Sequence, residues 1–163
     1  MDGSIVIRNV ASGDADSLGA FFAAVVEDAA TVAFFHPHPL TAEYATALCA
    51  RDPALKDVYI SAFEGATLVA YGMLRGWDEG FEVPAFGVCV HPERRGEGLA
   101  KRVLDYAIAE ATAAGSPAIM LKVYASNRSA RVLYERTGFV FEDGPADGKQ
   151  LIGRLPLKGG GRS

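Results

Sequence analysis

Two cysteines in 163 residues, Cys49 and Cys89, have neither the spacing of a disulfide framework nor that of a thiolate metal site. They read as reduced core thiols, which points to the cytoplasm. No apolar run reaches the roughly 18 residues of a membrane-spanning helix, and the opening MDGSIVIRNV lacks the basic and apolar blocks of a secretion signal. A soluble cytoplasmic protein with no membrane partner is expected. An excess of basic charge is also missing: 16 basic and 20 acidic side chains leave a net charge of −4, so nothing in the balance favours nucleic acid. Any anion site has to be local. His36 and His38, in FFHPHPL, have no third ligand at metal spacing, and no metal is expected.

Hydrophobic residues make up 50% of the chain, enough for one domain with a proper core and too little length for two. That domain is expected over 1–157, followed by a disordered tail, KGGGRS, at 158–163. SIVIRNV is rich in β-branched residues and reads as a strand, and DADSLGAFFAAVVEDAA as a helix with Leu18, Phe21, Phe22 and Val25 on one face. The prolines of FFHPHPL interrupt the helical pattern, and Thr41 caps a second helix ending near Arg51. DVYISAFE and ATLVAYGMLRG form a hairpin turning at Gly65, and AFGVCV is a fourth strand. A helix over Gly96 to Ala114, the central strand AIMLKVYA, the short helix NRSARVLYERTG and the strands FVFED and KQLIGRLPL complete the order β-α-α-β-β-β-α-β-α-β-β. This is a mixed α/β sheet.

The chemistry concentrates where the fourth strand meets the long helix, in HPERRGEGLAKRVL. Glycines let backbone approach a ligand closely, and the first-turn N–H groups of a helix have no intrahelical partner. Such a join suits a phosphate or pyrophosphate. Gly96 and Gly98 satisfy neither the G-x-G-x-x-G dinucleotide pattern nor the G-x-x-x-x-G-K-[ST] phosphate loop.

VCVHPERRGEGLA resembles the acyl-CoA-binding motif of the GNAT acyltransferase superfamily, [QR]-x-x-G-x-[GA] after a strand. NRSARVLYERTGF resembles the same superfamily's N-x-x-A-x-x-x-Y-x-x-x-G-F, with Asn127, Ala130, Tyr134, Gly138 and Phe139 in place. The resemblance implies a GNAT fold: a mixed, mostly antiparallel central sheet, splayed between strands 4 and 5 and flanked by helices. It implies acetyl-CoA in the cleft as co-substrate. Backbone N–H groups of Arg95, Gly96, Gly98 and Ala100, with Leu99 between them, would hold the pyrophosphate, and Val88 and Val90 would pair with the acetyl carbonyl and pantetheine arm. Asn127 would cap its helix while facing the pantetheine, and Arg131 would approach the adenosine end.

Acetyl transfer to an amine needs a neutral amine, a donor to the thioester oxygen and a way for the thiolate to leave. An alkyl amine of pKa about 10.4 costs about 4–5 kcal/mol to use in its neutral form at pH 7. Glu82, at the start of the fourth strand, is the carboxylate expected to act as base, directly or through water. The position at which some members carry that base falls here on Pro84. Tyr134 corresponds to the family's general acid near the sulfur. In this fold the first helices and the loop before strand 4 shape the acceptor pocket, which directs attention to His36, Trp77, Asp78 and Glu79. A small-molecule amine acceptor is expected: an amine, an amino acid or an amino sugar. A peptide or protein amine, and a module that binds acyl-CoA without turning it over, are the competing readings. The superfamily commonly forms homodimers.

Overall fold

In a computed structural model of the protein, residues 4–144 and 148–158 are described. The expected tail lies, from residue 159 onward, outside them. Strand β1 (Ile5–Asn9) precedes three helices, α1 (Ala15–Val25), α2 (Ala29–Phe34) and α3 (Ala42–Cys49). The hairpin β2 (Val58–Glu64) and β3 (Thr67–Arg75) turns at Gly65, whose φ of +61° suits glycine. Then come β4 (Ala85–Val90), α4 (Leu99–Ala113), β5 (Ala118–Tyr124), α5 (Arg128–Thr137), β6 (Val140–Asp143) and β7 (Gln150–Pro156). They build one seven-stranded sheet, ordered β1-β2-β3-β4-β5-β7-β6.

Every pairing is antiparallel except β4 with β5, which run parallel and register only at Ala85 with Met120. Beyond that point the strands separate. The splay predicted between strands 4 and 5 is therefore present, and each sheet face has its own core. On one face α4 and α5 cover Ile60, Leu74, Phe86 and Leu121. On the other, α1 and α3 cover Tyr59, Tyr71, Met73 and Cys89. Each fully buried aliphatic or aromatic side chain contributes about 1.5–3 kcal/mol, so the two cores lock the halves of the splay in place.

One expected element differs. DADSLGAFFAAVVEDAA predicts one helix, but the backbone breaks after Val25 and restarts at Asp28, whose ψ is +123°. The Asp28 carboxylate accepts from the backbone N–H and the hydroxyl of Thr31, both at 2.9 Å. An aspartate outcompetes helix continuation in this way because its short side chain satisfies the orphan donors of a new first turn.

Near the start of α1, Asp14 is buried and accepts from Arg8 at 2.8 and 3.0 Å and from the Ala11 N–H at 2.7 Å. The guanidinium holds this carboxyl below the usual carboxylate range. Its folded pKa lies under the unfolded value of about 3.9, so its stabilisation is complete above that pH and disappears as pH falls through the folded value. Asp14→Asn is expected to cost about 1.5–3 kcal/mol at pH 7. Denaturant melts of both proteins between pH 7 and pH 2 should show this gap closing only below about pH 4.

Candidate active site

A cavity of about 1160 Å³ occupies the splay. Its walls come from β4, the loop after it, the first turns of α4, β5, α5 and, from the opposite face, α2. The hydrogen-bond alternation of β4 explains why its edge is available. Antiparallel pairing gives each residue's N–H and C=O to one side only, and the His91 N–H bonds to the Val69 carbonyl at 2.9 Å. Odd-numbered residues of β4 thus bond to β3, while the backbone groups of Val88 and Val90 point into the gap where β5 has moved away.

At one end of the cavity, the turn Arg95 to Gly98 leads into α4. Gly96 and Gly98 have φ of +81° and +80°, and a Cβ built on either meets nothing within 4 Å. These glycines bend the chain so that the N–H groups of Leu99, Ala100 and Lys101 precede the first helical bond, from the Arg102 N–H to the Gly98 carbonyl. The result is an open cradle of backbone donors at the positive end of a 15-residue helix. The Arg95 side chain turns away from it. It ion-pairs with Asp28 and reaches the Thr31 hydroxyl at 3.3 Å, tying the cradle to α2. Arg94 is likewise held by Glu64 at 2.7 Å and by Glu97 at 3.0 Å. What remains free for an anion in the cradle itself is backbone.

Across the cavity, Asn127 caps α5, its side chain accepting from the Ala130 N–H. Tyr134, one face of α5 further on, is 6% exposed and packs edge-on against Phe86 and Phe139. Its hydroxyl has no hydrogen-bond partner among the described residues, and the residue lines the cavity. Burial pushes the phenol well above its ordinary pKa, which keeps it protonated and a donor.

The model of the acetyltransferase (GNAT) family matches residues 23–139, most of the chain. The chain belongs to the GNAT acetyltransferase family. Its enzymes are acyl-CoA-dependent acetyltransferases that use acetyl-CoA. Three of the many solved structures that share this fold illustrate the likeness. The ribosomal-protein-S5-alanine acetyltransferase from Vibrio fischeri is 14% identical, with 99% of this chain and 97% of that chain covered and a TM-score of 0.80. PaiA N-acetyltransferase from Thermoplasma acidophilum, in complex with coenzyme A, is 19% identical over 94% and 99%, with a TM-score of 0.75. The yncA protein from Salmonella typhimurium, with its cofactor acetyl-CoA, is 20% identical over 95% of each chain, with a TM-score of 0.74.

Within this GNAT scaffold the expected site residues divide sharply. Val88, Val90, Gly96, Gly98, Leu99, Ala100, Asn127 and Tyr134 line the cavity together with Arg95. Arg131 does not: its guanidinium turns back to the Ala125 carbonyl at 3.0 Å. Glu82 lies outside as well. β4 begins only at Ala85, so Glu82 has no strand register that would aim its carboxylate along the face of Phe86, and it is exposed beside Ser116, whose hydroxyl meets its carbonyl.

The loop after β3 is occupied with its own construction. Asp78 accepts from the N–H groups of Lys56 and Asp57, and Asp57 in return accepts from those of Gly76 and Asp78. Trp77 packs on the α4-side core, Glu79 is exposed, and none of the three lines the cavity. His36 stands at the cavity's edge, its ring edge-on to Tyr124 at 6.2 Å, with Nε2 donating to the Val32 carbonyl. His38 is a packing residue, stacked on Tyr44 and bonded to the Tyr71 hydroxyl at 2.7 Å. Sequence reasoning missed Phe34, Phe35, Lys122, Tyr124 and Arg136, all of which line the cavity. Only Arg136 carried a signal, lying inside the second motif.

No group of three or more metal-ligating side chains occurs among the described residues, and none of their helices is long and apolar enough to cross a membrane.

Proposed function

We propose that this chain is an N-acetyltransferase that moves the acetyl group of acetyl-CoA to the primary amine of a small molecule, by direct attack while both are bound. The observation that carries this reading is the hydroxyl of Tyr134, without a partner among the described residues, on a buried side chain that lines a cavity together with the glycine cradle and the β4 edge that faces away from β3.

Acetyl-CoA supplies the activated thioester. The cradle from Arg95 to Ala100 holds the pyrophosphate, and the residues present fit it, since Gly96 and Gly98 leave open the space that a Cβ would fill. Val88 and Val90 extend the ladder to the pantetheine arm, and the Val88 N–H polarises the acetyl carbonyl. Tyr134 donates a hydrogen bond to the leaving sulfur. Full proton transfer from a phenol of raised pKa to a thiolate whose acid has pKa about 8.5 is uphill, and a hydrogen bond that strengthens as charge develops is sufficient. Asn127 orients the start of α5, and with it Tyr134.

The amine arrives from the side of α2, between Phe34, Phe35 and Tyr124. Asp105 is the sole carboxylate among the described residues that line the cavity, and it is engaged with Lys101 at 2.8 Å. No lining carboxylate is therefore free to act as base, and the amine enters neutral or loses its proton to water. A cytoplasmic location fits the free thiols of Cys49 and Cys89.

The test is acetyl-CoA binding by calorimetry together with free thiol release against amines, amino acids, amino sugars and short peptides. Binding with acceptor-dependent release is expected. Binding without release from any acceptor would make the chain an acyl-CoA-holding module. In the same assay Glu82→Gln should retain turnover to within about twofold across pH 6–9, because a side chain outside the cavity contributes nothing that changes in the transition state.

A further inference from the structure

The chemistry of the acceptor can be taken one step further, resting on the acetyltransfer reading above. Five cations line the cavity, and three are matched by carboxylates: Arg94 by Glu64 and Glu97, Arg95 by Asp28, and Lys101 by Asp105. Arg136, on α5, has no such partner among the described residues. The fifth, Lys122, is on β5, exposed, and makes no hydrogen bond or ion pair among the described residues.

Strand alternation decides which way Lys122 faces. Leu121 and Val123 are buried in the core beneath α4 and α5, so Met120, Lys122 and Tyr124 belong to the opposite face, the face of α1 and α2. Parallel register decides its level. Ala85 pairs with Met120, and two residues further along each strand Lys122 stands across the gap from Gly87, with Tyr124 across from Cys89. Gly87 is next to Val88, the position assigned to the acetyl carbonyl, and a Cβ on Gly87 would lie 3.7 Å from the Phe35 ring. A lysine without a carboxylate partner among the described residues therefore lines the cavity from the stretch of β5 level with Gly87, on the face of the aromatic wall of Phe34, Phe35 and Tyr124.

That wall offers no free carboxylate, so a second ammonium on the acceptor would find no counter-ion and would meet Lys122 instead. Polyamines fit poorly. We infer that the acceptor is a free α-amino acid with an apolar side chain, its carboxylate bound by Lys122 and its side chain resting on Phe34 and Phe35. A peptide N-terminus lacks that carboxylate beside its amine and loses the contact.

The experiment compares each proteinogenic amino acid with its own α-carboxamide, by thiol release from acetyl-CoA. A charge-assisted hydrogen bond from Lys122, shielded from water once acetyl-CoA and the acceptor fill the cavity, makes the acid better than the amide by on the order of 10–100-fold in kcat/KM. Lys122→Met brings that ratio close to one, chiefly through KM, Lys122→Arg keeps it, and Lys122→Glu reverses it in favour of the amide. A misfolded variant cannot reverse a preference. Equal use of acid and amide by the native enzyme, or a ratio unmoved in Lys122→Met while acetyl-CoA affinity falls, overturns the inference and leaves acetyl transfer standing. Thiol release from neither series, with release from another amine or an amino sugar, overturns the inference and leaves acetyl transfer standing; release from no acceptor at all overturns both.

Discussion

Gly98→Ala is expected to weaken acetyl-CoA binding by about 100-fold while lowering stability by about 1–2 kcal/mol. The stability loss comes from placing an L-residue at φ +80°, where its Cβ crowds the following carbonyl. The binding loss has a separate origin: the chain relieves that strain by rotating the turn, which misdirects the N–H groups ahead of α4. Each such donor to a phosphate oxygen is worth about 1.5–3 kcal/mol, so misaligning one or two gives the expected factor. Gly65→Ala separates the two effects. Gly65 also has positive φ, +61°, and nothing within 4 Å of its Cβ, but it turns the β2–β3 hairpin. Thermal melts should show similar losses for both variants, and calorimetry should show weakened acetyl-CoA binding for Gly98→Ala alone. Equal binding in the two would remove the cradle from the coenzyme site.

Tyr134→Phe carries the second large effect. It removes one oxygen that has no partner among the described residues, so packing against Phe86 and Phe139 survives and the fold stays intact. On the proposed reading the lost donor acts on charge that appears only as the sulfur leaves, and such donors are worth about 2.7–4 kcal/mol. kcat should fall by about 10²-fold or more, with the affinity for acetyl-CoA changed by less than a factor of about three. Because burial raises the phenol's pKa, the native enzyme should show no loss of activity from Tyr134 ionisation up to pH 10. An acetyl-CoA binding constant that falls in parallel with kcat would assign Tyr134 to binding rather than to departure of the thiolate.

Gly98 and Tyr134 could be singled out in the sequence because the patterns that carry them are local. A glycine that must adopt positive φ next to a helix start, and an asparagine that caps the helix carrying Tyr134 two turns on, are consequences of short-range geometry. The acceptor side was not legible in that way. Trp77, Asp78 and Glu79 have the composition of a recognition loop, yet the aspartate's oxygens are taken by Lys56 and Asp57, whose proximity depends on how β2 and β3 pair. The place of Glu82 was hidden for a similar reason, since it depends on where β4 starts. The helix break at Asp28, with a carboxylate shared between Thr31 and an arginine 67 residues away, links the cradle to α2 through a contact that no local pattern encodes.

The order of elements, the hairpin at Gly65, the cradle before α4 and the cap before α5 follow from the sequence alone, because propensity, capping and glycine conformation act over a few residues. The side of the cavity on which each residue stands was decided only in three dimensions. Lys122 reads along the chain as a lone charge in an apolar central strand. It becomes an acceptor-facing ammonium only because β5 registers with β4 at one point and then parts from it, and that register depends on the two cores packed on opposite faces of the sheet.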